Sequence, residues 1–248
     1  MLVRKCIGVV AVAVALACPM ILQAKVVFLA TFDSDSGATV KDTYGASGTV
    51  IGKAATVDGK YGKAFSFDGA TAIQFKKTDA LSKIKEPMSA GAWVKPAALT
   101  DWTNIVEMDG PAGAWKLGFS NAAPVWTTYR VKDHTGKGPV ALNEWSHITA
   151  TYDAKVARLY VNGKLDSEIA GSGGIKVDVA EVPTLDIGWR STSKASFFKG
   201  AMDEVFVADT VLTDAEVATV MKGLATTSTA VEARGKLATQ WAAMKSTR

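Results

Sequence analysis

Arg158-Leu159-Tyr160-Val161-Asn162-Gly163-Lys164-Leu165 is the stretch that decides the fold. Asn-Gly between two alternating apolar runs supplies the positive φ angles that a two-residue hairpin turn needs, so two antiparallel strands meet at 162–163. Just upstream, Ile148, Ala150 and Tyr152 share one face and Thr149 and Thr151 the other. That is the period of a strand with one face turned to a core.

The same texture extends over residues 26–207, as short β-rich runs punctuated by Gly, Asp, Asn and Pro, with no helical period over a dozen residues. The clearer runs are 63–67, 70–75, 89–95, 115–119, 125–131, 147–152, 157–161 and 201–207. Asp58-Gly59 and Asp68-Gly69 add turn signals, and Gly171 to Gly174 reads as a flexible loop. The fold class is therefore all-β. Near the end the period changes. Thr213-Asp214-Ala215-Glu216 forms a capping box before Val217, Val220, Met221 and Leu224 at helical spacing. A second box, Thr229 to Glu232, precedes Leu237, Trp241 and Met244, so residues 225–248 read as a helical tail. Such a tail either packs on the sandwich or docks on another protein.

Residues 1–24 stand apart. Arg4 and Lys5 precede an uncharged apolar run from Cys6 to Leu22, the layout of a secretory signal peptide, with Ala24 at the cleavage point. The run is short for a spanning helix, which takes roughly 20 apolar residues, so a retained anchor is the second reading. Val14-Ala15-Leu16-Ala17-Cys18 resembles a lipoprotein signal, but Pro19-Met20-Ile21-Leu22 stays apolar where a lipoprotein turns polar. The expected location is outside a bacterial cytoplasm: secreted, periplasmic or on the cell surface. Both cysteines, Cys6 and Cys18, fall in this leader, so residues 25–248 carry no disulfide, thiolate ligand or thiol nucleophile. Removing the leader takes the net charge from +4 to +2, too weak a balance to suggest nucleic acid. Residues 25–224 are long enough to bury a core without staples.

Four blocks occur in order. They are Tyr61-Gly62-Lys63-Ala64-Phe65-Ser66-Phe67-Asp68-Gly69, then Met88-Ser89-Ala90-Gly91-Ala92-Trp93-Val94-Lys95-Pro96, then Glu144 to Asp153 running into Leu159-Tyr160-Val161-Asn162-Gly163, and last Phe198-Lys199-Gly200-Ala201-Met202-Asp203-Glu204-Val205. Together they closely resemble the laminin-G-like domains of the concanavalin A-like lectin/glucanase superfamily, over nearly all of residues 26–224. The resemblance implies a jelly-roll sandwich of two antiparallel sheets, one concave and one convex, to which the capping boxes read above add short C-terminal helices. It also implies ligands met at the concave face or its rim loops. The expected function is an exported non-catalytic module that binds a carbohydrate, that is a glycan, or an extracellular protein, with no membrane span once the leader is cleaved. An assembly protein docking through its tail is the alternative, and a glycan hydrolase or lyase comes third. Fold alone does not choose among them.

Hydrolytic relatives carry acids at alternate positions of one strand, which puts the carboxylates on one face. The nearest match, Ile105-Val106-Glu107-Met108-Asp109-Gly110-Pro111, supplies two acids and then a Gly-Pro turn where the third should stand. No catalytic set is expected there. His134, read as a loop residue, and His147, read as structural, are far apart in sequence. There is no HExxH or phosphate loop. The resemblance further implies a structural calcium ion on Asp203, with Asp33 as companion; otherwise Asp203 only caps loop amides. Among the aromatics, Trp93 and Trp145 are expected buried on strands with Tyr152, Phe65 and Phe67. Trp102, Trp126, Arg130 and Trp189 are the candidate ligand contacts, against core or edge packing. Trp126 and Arg130 share strand parity, opposite to Val125, Thr127, Tyr129 and Val131, and are expected to look out from one sheet together.

Overall fold

The computed structural model describes residues 26–34, 37–76, 78–79, 81, 84–108, 114–175 and 184–224. The leader with its cysteines, Asp109-Gly110-Pro111 and the tail 225–248 lie outside the described residues.

Two antiparallel sheets of eight strands pack face to face. Sheet A runs β14 (Lys164–Ala170), β13 (Val156–Val161), β12 (Ser146–Tyr152), β7 (Met88–Ala98), β16 (Lys199–Ala208), β5 (Lys63–Asp68) and β4 (Thr56–Asp58), with β1 (Val26–Ala30) also on β16. Sheet B runs β11 (Lys132–Thr135), β10 (Ala123–Thr128), β9 (Trp115–Ser120), β8 (Thr103–Met108), β15 (Thr184–Ile187), β6 (Ala72–Lys76), β3 (Ser47–Ile51) and β2 (Thr39–Lys41). The expected hairpin is present. Asn162 and Gly163 take φ of 50° and 74°, and Val161 faces Lys164 across the turn.

Alternation places one side of each strand in the core. From sheet A come Ala92, Val94, Ile148, Tyr152, Met202 and Val205, and from sheet B Ile73, Val106, Trp115, Leu117, Trp126 and Ile187. Trp115 and Trp126 stack at 5.4 Å and 12°, and Trp126 meets Tyr152 of the opposite sheet at 5.8 Å. The expectation that Trp126 looks outward with Arg130 is therefore corrected. Strand β10 ends at Thr128, and Arg130 sits in the following turn at φ +60°, so parity cannot be carried from 126 to 130. His134 is likewise on β11 and faces inward, with Nδ1 3.2 Å from the Trp126 carbonyl, and is not a loop residue. Trp145 precedes β12 and is only half-buried, whereas Trp93 is buried as expected.

Strand β16 changes partners along its length. Lys199 to Met202 pair with β5, while Val205 to Ala208 pair with β1, and a bulge at Asp203-Glu204 marks the exchange. The bulge aims two carboxylates at separate backbones. Asp203 Oδ2 accepts from the Tyr61 amide at 2.9 Å, and Glu204 Oε2 from the Leu224 amide at 2.7 Å.

Helix α1 (Asp214–Val220) starts at the predicted capping box, with both of its reciprocal bonds formed around Thr213 and Glu216. Its apolar side seals the outer face of sheet A. Val217, Val220 and Leu224 form a second cluster there with Val26, Leu29, Tyr160 and Phe206. His147 lies on this covered face between Trp93 and Phe206, and burial pushes its imidazole down to about 3, which keeps it neutral and structural. The Gly171 to Gly174 loop is pinned, since the Gly171 and Gly173 amides donate to Lys155 and Ala154 and the Tyr152 hydroxyl donates to Gly173. Among the described residues no helix is long and apolar enough to cross a membrane.

Candidate functional site on the outer face of sheet B

Among the described residues no helix lies on the outer face of sheet B, and the register assembles a polar row there. Thr49, Gln74, Asp186, Glu107, Lys116, Thr127 and Asp133 are consecutive partners across β3, β6, β15, β8, β9, β10 and β11. Each neighbours an inward-facing residue, as Lys116 does between Trp115 and Leu117 and Asp133 does beside His134. The pleat therefore turns the whole row outward.

The middle of the row is sealed. Glu107 is fully buried, and its Oε2 accepts from Asn104 Nδ2 at 2.6 Å and from the Tyr129 hydroxyl at 2.5 Å. Its Oε1 accepts from the Ser191 amide at 3.3 Å. Glu107 thus ties β8 to the end of β10 and to the 189–191 loop. Asp186, directly opposite, accepts from Gln74 Nε2 at 3.1 Å, and burial pushes its carboxyl above the ordinary range.

Beside this floor opens a pocket of about 450 Å³, lined by Trp102, Lys116, Thr127, Tyr129, Arg130, Lys132, Asp133 and Arg190 among others. The volume suits a small ligand or a short oligomer segment. Lys116 Nζ stands 4.4 Å from the Trp102 ring centroid and 6.0 Å from that of Tyr129, and the Arg190 guanidinium lies 4.6 Å from the Tyr129 centroid. The ring quadrupoles hold these cations in place. Trp102 remains 39% exposed on the rim. Both Trp102 (φ +61°) and Arg130 (φ +60°) take the left-handed conformation that bulky residues avoid, at a cost of roughly 1–2 kcal/mol each.

Of the four expected ligand contacts, the pocket gathers Trp102 and Arg130. Trp126 belongs to the core. Trp189 is buried behind the site, its ring 5.6 Å from Phe197 and its carbonyl receiving Asn104 Nδ2. The reading of single runs missed Lys116, Asp133 and Arg190 as pocket residues, and missed Asp186 as the neighbour of Glu107. A lysine between Trp115 and Leu117 in an alternating run was the available signal.

Asp33, just after β1, and Asp203, on β16, lie elsewhere, against the loop that joins β4 to β5. Asp33 Oδ1 accepts from the Lys63 amide at 2.9 Å, and a Cβ at Gly62 would collide with it. Burial pushes the Asp203 carboxyl up to about 7, to which the charges of Glu204 and Asp33 add. Among the described residues Asp203 Oδ1 is buried without a hydrogen-bond partner. Among the described residues no group of three or more His, Cys, Asp or Glu side chains is placed to hold a metal.

The fold defines a jelly-roll domain, with α1 packed on one sheet and a polar row on the outer face of the other. Residues 67–218 match the concanavalin A-like lectin/glucanases superfamily, and the chain belongs to it. No curated protein sequence matches the chain. Among solved structures it is similar to domain 4 of AbnA, a GH43 extracellular arabinanase from Geobacillus stearothermophilus, in complex with arabinotriose. That likeness has a TM-score of 0.62 and 20% identity, covering 79% of this chain and 97% of that one. It is also similar to the binding domain of Paraclostridial Mosquitocidal Protein 1 (TM-score 0.63, 17% identity, 80% and 52% covered). A third is the binding domain of Botulinum neurotoxin DC in complex with rat synaptotagmin II (0.62, 12%, 82% and 52%). The chain spans about half the length of the two toxin domains. At these identities the likeness is one of fold.

Proposed function

We propose that this chain is an exported, non-catalytic binding module that recognises a carbohydrate through the pocket on the outer face of sheet B. The observation that carries the reading is Trp102, an indole held at an unfavourable backbone angle on the rim of a pocket floored by polar side chains. A flat ring beside hydrogen-bonding groups is what a sugar face requires. The arabinotriose complex of one structural neighbour is in keeping with it. The non-catalytic part is supported by Glu107 and Asp186, both fully buried, with Glu107 committed to three structural donors. An acid or nucleophile must reach its substrate. A glycan array with wild type and Trp102→Ala tests the reading. Saccharide retention that the variant loses supports it, and retention of no saccharide overturns it.

For the expected calcium ion, the unpartnered Asp203 Oδ1 and the nearby Asp33 carboxylate are hard oxygen donors of the right kind. With only two carboxylates, backbone carbonyls of the surrounding loop would have to complete the shell. The ion is thus proposed as a brace between β16 and the β4–β5 loop, away from the pocket.

A further inference from the structure

Lys116 is only 4% exposed, yet among the described residues its ammonium makes no hydrogen bond and no ion pair, resting only on the rings of Trp102 and Tyr129. An ammonium carries three donors, and stripping its hydration without acceptors is costly. Contact with ring faces returns about 0.5–2 kcal/mol and satisfies none of the donors. The neighbouring carboxylates are engaged elsewhere. Asp133 Oδ1 accepts from the Thr127 hydroxyl at 2.6 Å, and Glu107 Oε2 from Asn104 and Tyr129. Burial pushes Lys116 below the ordinary lysine range, while the charges of Asp133, Glu107 and Asp101 oppose that shift and Arg190 adds to it.

The surroundings share its sign. Among the described residues Lys116, Arg130, Lys132 and Arg190 line the pocket against one carboxylate, that of Asp133, with Glu107 beneath. The whole chain is nearly balanced, with 28 Lys and Arg against 24 Asp and Glu. The cations come from β9, from the turn after β10, from β11 and from the loop after β15, so the fold concentrates them here although no run of sequence does.

We propose that the pocket takes an acidic saccharide, with the Lys116 ammonium receiving its carboxylate or sulfate group and the Trp102 ring stacking on the adjoining sugar. The proposal rests on the reading of this pocket as a saccharide site. Guanidinium groups at Arg130 and Arg190 suit planar oxyanions, and the buried lysine acts as a point charge at the base.

The test is calorimetric titration of the full chain with tetragalacturonate, its methyl ester, tetramannuronate, a heparin tetrasaccharide and neutral arabinotriose. At least one acidic probe is expected to bind about tenfold or more tightly than the ester and arabinotriose, and progressively less well as salt rises. Lys116→Met should lose about tenfold in affinity for that probe while melting at or above the wild-type temperature, because it deletes a largely buried cation that among the described residues has no ion-pair partner. Arg130→Gln, on the exposed rim, is the second variant and should also weaken the acidic probe alone. Preference for a uronate identifies the carboxylate as the anchor, and preference for heparin identifies the sulfate. Equal affinity for acid and ester, or acid binding that neither variant weakens, overturns the proposal. Binding of neutral probes only overturns it and leaves the saccharide reading standing. Binding of none overturns both.

Discussion

Glu107 on β8 and Asp186 on β15 face each other directly across the sheet, both fully buried, and they are satisfied unequally. Both Glu107 oxygens accept hydrogen bonds, whereas Asp186 Oδ2 has no hydrogen-bond partner among the described residues. Like charges opposed on neighbouring strands are destabilising. Two isosteric changes should therefore act in opposite directions. Glu107→Gln places an amide where donors converge and is expected to cost about 1–3 kcal/mol. Asp186→Asn removes the poorly supported charge and should raise the melting temperature at pH 8. Because the folded state holds the Asp186 proton more tightly than the unfolded chain, its contribution is complete below pH 3.8 and is lost as pH rises through the folded value. The benefit of Asp186→Asn should vanish in acid, and thermal melting at pH 3 and pH 8 checks both statements.

Asp203 gives a wider pH window. Its folded pKa of about 7 lies above the ordinary 3.8, so stability falls as pH climbs from about 4 to about 7 unless a cation neutralises the carboxylate. His147 tilts the other way, losing stability as pH falls from 6.5 toward about 3. The difference between Asp203→Asn and wild type is therefore the quantity to follow. In chelator the variant should gain over wild type across that interval. In millimolar calcium the order should reverse, and an identical pair of curves with and without calcium would remove the ion.

Two tryptophans should separate stability from binding. Trp126→Ala empties the stack between the sheets and is expected to cost about 3–5 kcal/mol. Trp102→Gly relieves a left-handed backbone and should hold or raise the melting temperature while abolishing saccharide retention. A large loss of stability in Trp102→Gly would make that residue structural.

The cap of α1 offers a local test. Thr213→Ala removes the hydroxyl that accepts from Glu216 N and donates to Glu216 Oε2, at an expected cost of about 1 kcal/mol. Since α1 covers sheet A and not the pocket, glycan affinity should be unchanged, which titration with the bound probe would show.

What the sequence revealed was local chemistry. Asn162-Gly163 and the Thr213 box each encode their geometry within a few residues, and both formed where expected. The polar row does not work that way. Its members run from Thr49 to Asp186, and their alignment is set by bulges such as the one between Asn104 and Val106, which no single run displays. Arg130 reached the pocket for a reason opposite to the expected one: the strand stopped at Thr128, and a turn carried the side chain outward. Trp126 failed for the same cause, because parity assumed a strand that continued.

Val26 and Leu224, where the described chain enters and leaves, belong to one apolar cluster behind sheet A, while the pocket faces away from the other sheet. The two ends of the described chain thus lie together on one side of the sandwich, and the wall of the pocket is built on the other, so that two layers of sheet stand between them.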